Sequence, residues 1–343
     1  METFGDGTGA EVPAVVRPGV DRRRAPRTAR PGNEALSVLA VPLNLQVLQA
    51  LSERPMRLAE LRKATGLPAQ TTLRGHLANL SEIGLLTKRP TQQMPYAVEN
   101  ALTMTGEEML FVAQRLETWL GEAPEGPIPL ESAAAKGAVK ALVDGWGSSM
   151  MRALAVRPMS LTELDSAIPE LSYPALERRL SSMRIAGLVE AQPSQGAGTP
   201  YGVTEWARRG VAPLVAAGHC ERVHMGRRES PLDGADVEAA FLLAAPLLQL
   251  PVSVSGFCQI EVEAGSGLVA RPTGVLLRLE DGRVVATASG LDGGAVVTAS
   301  GSALEWFEAI KSGETGRLRF VGATRIGEDV VRSLHLAFRG GEG

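Results

Sequence analysis

Leu73, Leu77 and Leu80 recur at i, i+4 and i+7 and mark the buried side of a helix over residues 69–80. That leaves Gln70, Thr71, Arg74 and Asn79 on the outward side. These residue types bond well to nucleic acid: Arg to guanine, Gln or Asn to adenine, Thr to either. Lys88, Arg89, Thr91, Gln92 and Gln93 follow as a polar, partly basic segment suited to phosphate oxygens. A second set sits on a second helix over 172–183, where Leu176, Leu180 and Met183 turn inward and Tyr173, Glu177, Arg178 and Arg179 turn outward, with Ser172 at the cap.

Other chemistry is poorly represented. His76 has no partner of ligand type beside it. His219, Cys220 and His224 offer three zinc ligands at irregular spacing with no fourth nearby, and read as residues of a terminal helix. No Gly-x-Ser-x-Gly elbow, phosphate-binding Gly-rich loop or paired metal motif occurs, so no enzyme activity, cofactor or metal is expected.

The elements that must hold the two outward sets belong to a unit that occurs twice. ALSERPMRLAEL at 50–61 and ALAVRPMSLTEL at 153–164 share the frame A-L-x-x-R-P-M-x-L-x-E-L. Leu73 answers to Leu176, Leu77 to Leu180 and Gly84-Leu85 to Gly187-Leu188; Pro95-Tyr96 then aligns with Pro200-Tyr201 after a two-residue length change, which makes the second hairpin the longer. Each copy predicts a helix (45–51; 150–155), a break at Arg-Pro, a second helix (58–65; 161–168), a third helix, and a hairpin (87–98; 189–203). A long helix over 103–120 follows the first hairpin. Its apolar stripe needs a partner, and the second unit offers one in the same chain.

The second unit resembles the winged-helix domain of the HxlR-type transcriptional regulators. The resemblance lies in Gly145-Trp146, Ala153-Leu154, Pro158, residues 161–164, Ser172, Leu176, Leu180 and residues 187–189. The cysteine that such regulators often carry near the N-terminus is missing, so no thiol sensing is carried over. The first unit resembles winged helices more generically. Such regulators commonly dimerise through a helix like 103–120, and a homodimer remains open beside the intrachain pair. The resemblance implies double-stranded DNA as partner, read by Gln70, Thr71, Arg74, Lys88 and Arg89 in one unit and by Ser172, Tyr173, Arg178 and Arg179 in the other.

The last third changes pattern. An apolar helix over 236–248, capped by Asp236, precedes short β-rich runs at 252–262, 275–279, 284–288 and 295–299, with Asp281-Gly282 as a hairpin signal. A helix (302–311), a strand (317–321) and a helix (327–338) complete an α+β domain with helices on one side of a sheet. Residues 295–322 resemble the sterol carrier protein type two family through Val-Val-Thr-Ala-Ser-Gly, Leu304, Trp306, Ile310, Gly313 and the run from Gly316 to Gly322. The resemblance implies a tunnel for an apolar small molecule or lipid. Its lining would include Leu243, Leu247, Leu276, Val285 and Trp306, and further Phe307, Ile310, Phe320, Leu334 and Phe338.

The expected fold is thus multidomain α+β: a basic arm (1–33), winged helix 1 (34–121), a linker (122–135), winged helix 2 (136–225), a second linker (226–234) and a sterol-carrier-like domain (235–340). The net charge of −3 hides a gradient. Arg17, Arg22, Arg23, Arg24, Arg27 and Arg30 crowd the arm, and Arg178, Arg179, Arg184, Arg208, Arg209, Arg227 and Arg228 the second unit, whereas the last third is acidic. The arm reads either as a solvated tail or as a segment that adds phosphate contacts or enters a minor groove. No apolar run reaches membrane-spanning length and no signal-peptide layout is present, so no membrane insertion is expected. Cys220 and Cys258 form no disulfide framework; a cytoplasmic protein is expected. The features together predict a DNA-binding transcriptional regulator with a ligand-sensing domain. The competing reading is a carrier of apolar ligands, or a scaffold whose winged helices contact proteins.

Overall fold

The computed structural model describes residues 32–90, 98–147, 149–194, 198–225, 234–263, 272–291 and 294–339. The arm up to residue 31, with its arginines, lies outside the described residues, as do Thr91, Gln92, Gln93, Pro95, Tyr96, Arg227 and Arg228.

The first unit contains α1 (Asn33–Leu39), α2 (Pro42–Glu53), α3 (Leu58–Ala64), α4 (Gln70–Glu82), an antiparallel hairpin of β1 (Leu86–Pro90) and β2 (Val98–Leu102), and α5 (Met104–Gly121). The second contains α6 (Ala133–Gly147), α7 (Met150–Val156), α8 (Leu161–Ala167), α9 (Tyr173–Ile185), a hairpin of β3 (Val189–Ala191) and β4 (Tyr201–Val203), α10 (Glu205–Arg209) and α11 (Val211–Val223). Three elements were not expected, the short α10 among them. α1 follows the arm directly, and α6 takes the last residues of the presumed linker. The rest of that linker packs, with Ala123 and Leu130 buried and Ile128 N–H bonded to Leu120 O at 3.0 Å.

The repeated R-P-M-x-L-x-E-L frame has the same physical content in both copies. After the first helix ends, Arg54 reaches Pro55 O at 3.3 Å and the Glu60 carboxylate at 3.0 Å; Arg157 reaches Pro158 O at 3.1 Å and Glu163 at 2.7 Å. The glutamate meanwhile accepts from the backbone N–H at the cap of the next helix, Arg57 at 2.9 Å and Ser160 at 2.8 Å. The methionine between them bridges to the hairpin, Met56 to Asn100 and Met159 to Tyr201. Thr103 and Thr204 then cap α5 and α10, each accepting from a backbone N–H and donating its hydroxyl to the carbonyl of Gly84 or Gly187, in the turn between the third helix and the hairpin. These equivalences pair Asn100 with Tyr201 and Thr103 with Thr204, so the second hairpin is the shorter by two residues. The expected alignment of Pro95-Tyr96 with Pro200-Tyr201 reversed the sign of that difference, because a shared dipeptide outweighed the backbone bridge that sets the register.

At α8 the box closes fully, since Ser160 Oγ also accepts from Glu163 N–H at 3.3 Å. The bonds from Ser160 and Arg157 hold Glu163 down to about 2 from an ordinary 4.5. A depressed carboxylate contributes stability that is full above 4.5 and is lost as pH falls toward 2. Ser160→Ala is expected to cost about 1 kcal/mol, read from the urea midpoint. The deficit should shrink across that acid window as the wild type loses the same box; a deficit unchanged at pH 2.5 sinks the assignment.

α5 lies antiparallel to α11. Thr105 Oγ donates to His224 O at 3.2 Å at one end, and Trp119 stacks on Trp206 at the other, with ring centroids 4.5 Å apart and planes 7° from parallel. The contact is reciprocal: each indole N–H donates to the other residue's carbonyl, at 2.8 and 2.7 Å. The apolar stripe of α5 thus finds its partner inside the chain. Pro213, which lacks an N–H, accounts for the break at Gly210 between α10 and α11. α11 (VAPLVAAGHCERV) is apolar nearly all round, and it is accordingly packed on all sides, by α1, α5, α12 and α14.

The third domain comprises α12 (Gly234–Ala244), a 3-10 turn (Ala245–Leu247), β5 (Gly256–Val262), β6 (Thr273–Glu280), β7 (Arg283–Ser289), β8 (Val297–Gly301), α13 (Ala303–Ser312), β9 (Arg319–Gly322) and α14 (Thr324–Arg339). α12 starts before Asp236, which is therefore inside the helix and not its cap, and Pro246 ends it as a 3-10 turn. The sheet order is β7-β6-β5-β8-β9, with β5 and β8 parallel and every other pair antiparallel. Asp281 and Gly282 both take positive φ, 49° and 75°, as a two-residue hairpin turn requires. α12, α13 and α14 cover the face that carries Cys258, Ile260, Val275, Leu277, Val297 and Ala299. Among the described residues no single helix is long and apolar enough to cross a membrane.

Candidate nucleic-acid interface

The first outward set is displayed as expected. Leu73, Leu77 and Leu80 are buried, while Gln70, Thr71, Arg74 and Asn79 are exposed on α4. The turn before α4 places Gly66 and Leu67 at positive φ, and Arg62 Nε donates to Pro68 O at 2.8 Å, which ties α3 to the turn. Lys88 and Arg89 are exposed on β1, paired with Asn100 and Glu99 of β2. His76 is no loose surface group. Its Nδ1 is 2.8 Å from Oδ1 of buried Asn44, so it pins α4 to α2.

In the second unit Ser172, Tyr173 and Arg178 are exposed on or beside α9, Tyr173 by 46%. Ser172 stands at the N-cap but makes no side-chain capping bond. Arg179 is half-buried, and burial, with Arg178 beside it, lowers its pKa. Between α9, the start of α8 and β4 lies a cleft of 460 Å³ whose walls include Arg178, Ser181, Arg184 and Tyr201. Arg184 lies over the Tyr201 ring, 5.4 Å from its centroid. Arg184 and Ser181 were not among the expected contacts, although the three-residue steps 178, 181, 184 run along one side of α9 and hold the signal.

The expected tunnel residues separate into groups. Leu243, Trp306 and Leu334 are fully buried, with Phe241 edge-on to Trp306 at 4.9 Å, and form closed core. Leu247 and Phe320 are half-buried; Phe320 packs against Gly327 of α14. Leu276 belongs to the opposite face of β6, because side chains alternate and Val275 and Leu277 face the helices. Val285 lies at the register shift between β6 and β7 and is 49% exposed. Leu276 and Val285 are thus misplaced in the expected lining. Phe307, Ile310 and Phe338 face outward from α13 and α14, toward α5 and α11.

Folding also adds Glu108 to His219 and His224, with ligand atoms all within 4.8 Å of one another. Both Glu108 oxygens bond to the Lys311 ammonium, at 2.8 and 3.0 Å, so a cation of the chain already neutralises this carboxylate. Burial lowers the pKa of His219, against the raising effect of its bond to Glu308 at 3.3 Å. Cys220 and Cys258 are free and buried, and burial pushes both thiols up to about 12, which leaves them protonated and unreactive at neutral pH.

Residues 43–125 match the HxlR-like helix-turn-helix family. The matched segment runs from α2 through α5, and it supports DNA binding, as a transcription regulator, by this HxlR-like unit. The match lies on the first unit, whereas the residue trace favoured the second. The two differ after the hairpin: the HxlR-like unit keeps one long helix, α5, where the second is broken into α10 and α11. No curated protein matches the chain.

Proposed function

We propose that the chain is a cytoplasmic DNA-binding transcriptional regulator in which both units are winged helices that contact operator DNA, and in which the third domain, which resembles the sterol carrier proteins, couples an apolar small molecule to that binding. The observation that carries the DNA reading is the duplicated frame. The same Arg, Glu and Met contacts brace both copies, and each then presents an exposed arginine, Arg74 or Arg178, on its third helix. Exposed Lys88 and Arg89 supply phosphate contacts beside α4. No catalytic step is needed for this role.

Arg74→Ala and Arg178→Ala are each expected to cost about 1–3 kcal/mol of specific binding to operator DNA selected from the gene's own neighbourhood. Non-specific binding to random duplex should change much less. If both variants hold the operator as tightly as the wild type, α4 and α9 are not the readers.

A further inference from the structure

We propose that the cleft where all three domains meet is the ligand site, and that it takes an amphipathic organic anion: an aromatic or short acyl body bearing one carboxylate or sulfonate. This rests on the ligand-responsive reading above and moves the site out of the expected tunnel, whose centre is closed by Phe241, Trp306 and Leu334.

The cleft encloses 320 Å³ between α5 of the HxlR-like unit, α11 of the second unit, and α13 and α14 of the third domain. That is the lower end of the range for small-molecule pockets. Its apolar wall is made by Val215, Phe307, Ile310 and Phe338, side chains that three separate elements turn toward one space. Its charged wall carries Arg115, Lys311 and Arg339, with the Glu108 carboxylate in the lining and Glu308 beside it, 3.3 Å from His219 Nε2. Phe111 lies between the two kinds of surface, with Arg115 4.9 Å and Lys311 5.8 Å from its ring centroid. An apolar body with one anionic end matches this division: the phenylalanines take the body, and Lys311 and Arg339 meet the charge.

The Glu108–Lys311 pair is also a direct link between the HxlR-like unit and the third domain, two residues 203 positions apart. An anion arriving at Lys311 competes with Glu108 for it. Binding therefore loosens the contact of α5 with α13 and so reaches the helix that runs on from the first hairpin, which gives each ligand state its own preferred arrangement of the units.

The test uses the full chain and two fluorescent probes with one aromatic skeleton: 8-anilinonaphthalene-1-sulfonate, which is anionic, and N-phenyl-1-naphthylamine, which lacks the sulfonate. Saturable one-to-one binding of the sulfonate is expected. Lys311→Met should weaken it about tenfold and Glu108→Gln should strengthen it, while the neutral probe changes less than about twofold in either variant. Opposite shifts from two partners of one ion pair do not arise from lost folding, which a melting curve checks in parallel. Absence of saturable binding, sulfonate affinity indifferent to both variants, or equal changes for both probes overturns the proposal. Operator affinity with and without the sulfonate probe separates the site from the sensor: if binding follows the variants while operator affinity stays fixed, the cleft assignment stands and the coupling to DNA fails.

Discussion

Trp206→Ala should destabilise the protein by about 3–5 kcal/mol, the loss usual for a large aromatic side chain removed from a packed interior. Trp206 is 6% exposed and lies flat on Trp119 across the seam between the two units. Its removal opens a cavity there, strips one face of the Trp119 indole, and takes away the N–H that Trp119 O accepts at 2.7 Å. Stacking adds to simple burial by about 0.5–1.5 kcal/mol. Trp206→Phe keeps an aromatic face and loses the donor, so a smaller deficit of about 1–2 kcal/mol is expected. Urea unfolding gives both numbers. The alanine variant should also unfold less cooperatively, because α5 and α11 meet along this seam. A loss under about 1 kcal/mol for alanine would show that the seam does not hold the units together.

The second large effect is expected at Glu221, in α11. Its carboxylate is 3% exposed and accepts from the backbone N–H groups of Gly32, Glu34 and Ala35 at 2.8, 2.7 and 2.9 Å. These are the first amides of α1, which a helix leaves without internal partners. α1 has no cap of its own, since Gly32 stands at its N-cap with no side chain to offer. A carboxylate at this end also meets the positive pole of the helix. Glu221→Ala is expected to cost about 2–4 kcal/mol, as charge-assisted hydrogen bonds are removed and buried N–H groups left unpaired. Glu221→Gln should recover little, because its NH2 group faces donors. Hydrogen exchange should locate the damage: amides of α1 lose protection in either variant while those of α4 and α9 keep theirs. Unchanged protection in α1 contradicts the assignment.

Repetition and short-range spacing made much of this legible in the sequence. Apolar residues at i, i+4 and i+7, three leucines in α4 and Leu176, Leu180 and Met183 in α9, placed those helices, and Asp281-Gly282 placed the β6–β7 turn, because each pattern is local. α1 went unseen because its cap comes from Glu221, 189 residues away, and no neighbouring residue carries a start signal. The cleft was invisible for the same reason: Glu108 and Lys311 have no pattern in common. The apolar residues were recognised as interior without their direction. Phe307 and Trp306 are adjacent on α13, yet one faces the cleft and the other the sheet. On β6, a choice of Leu276 over Leu277 is a choice of face, and composition does not make it. The length of the second hairpin was misjudged because identity between two dipeptides is weaker evidence than the bridge from Met56 to Asn100 and from Met159 to Tyr201.

Both units being carried on a single chain changes how the seam responds to scarcity. Two separate subunits joined by the same surface would part when few molecules are present, and their joint occupancy of any target would fall with the square of their number. Here α5 and α11 meet at an effective concentration set by the connecting residues, which stays the same in a cell holding ten copies or ten thousand. Each half is also released from self-complementarity. A substitution at Arg178 leaves Arg74 untouched, so if both units contact DNA as proposed, the two faces are free to diverge toward unlike half-sites, a drift that a symmetric pair, altered twice by every mutation, cannot follow.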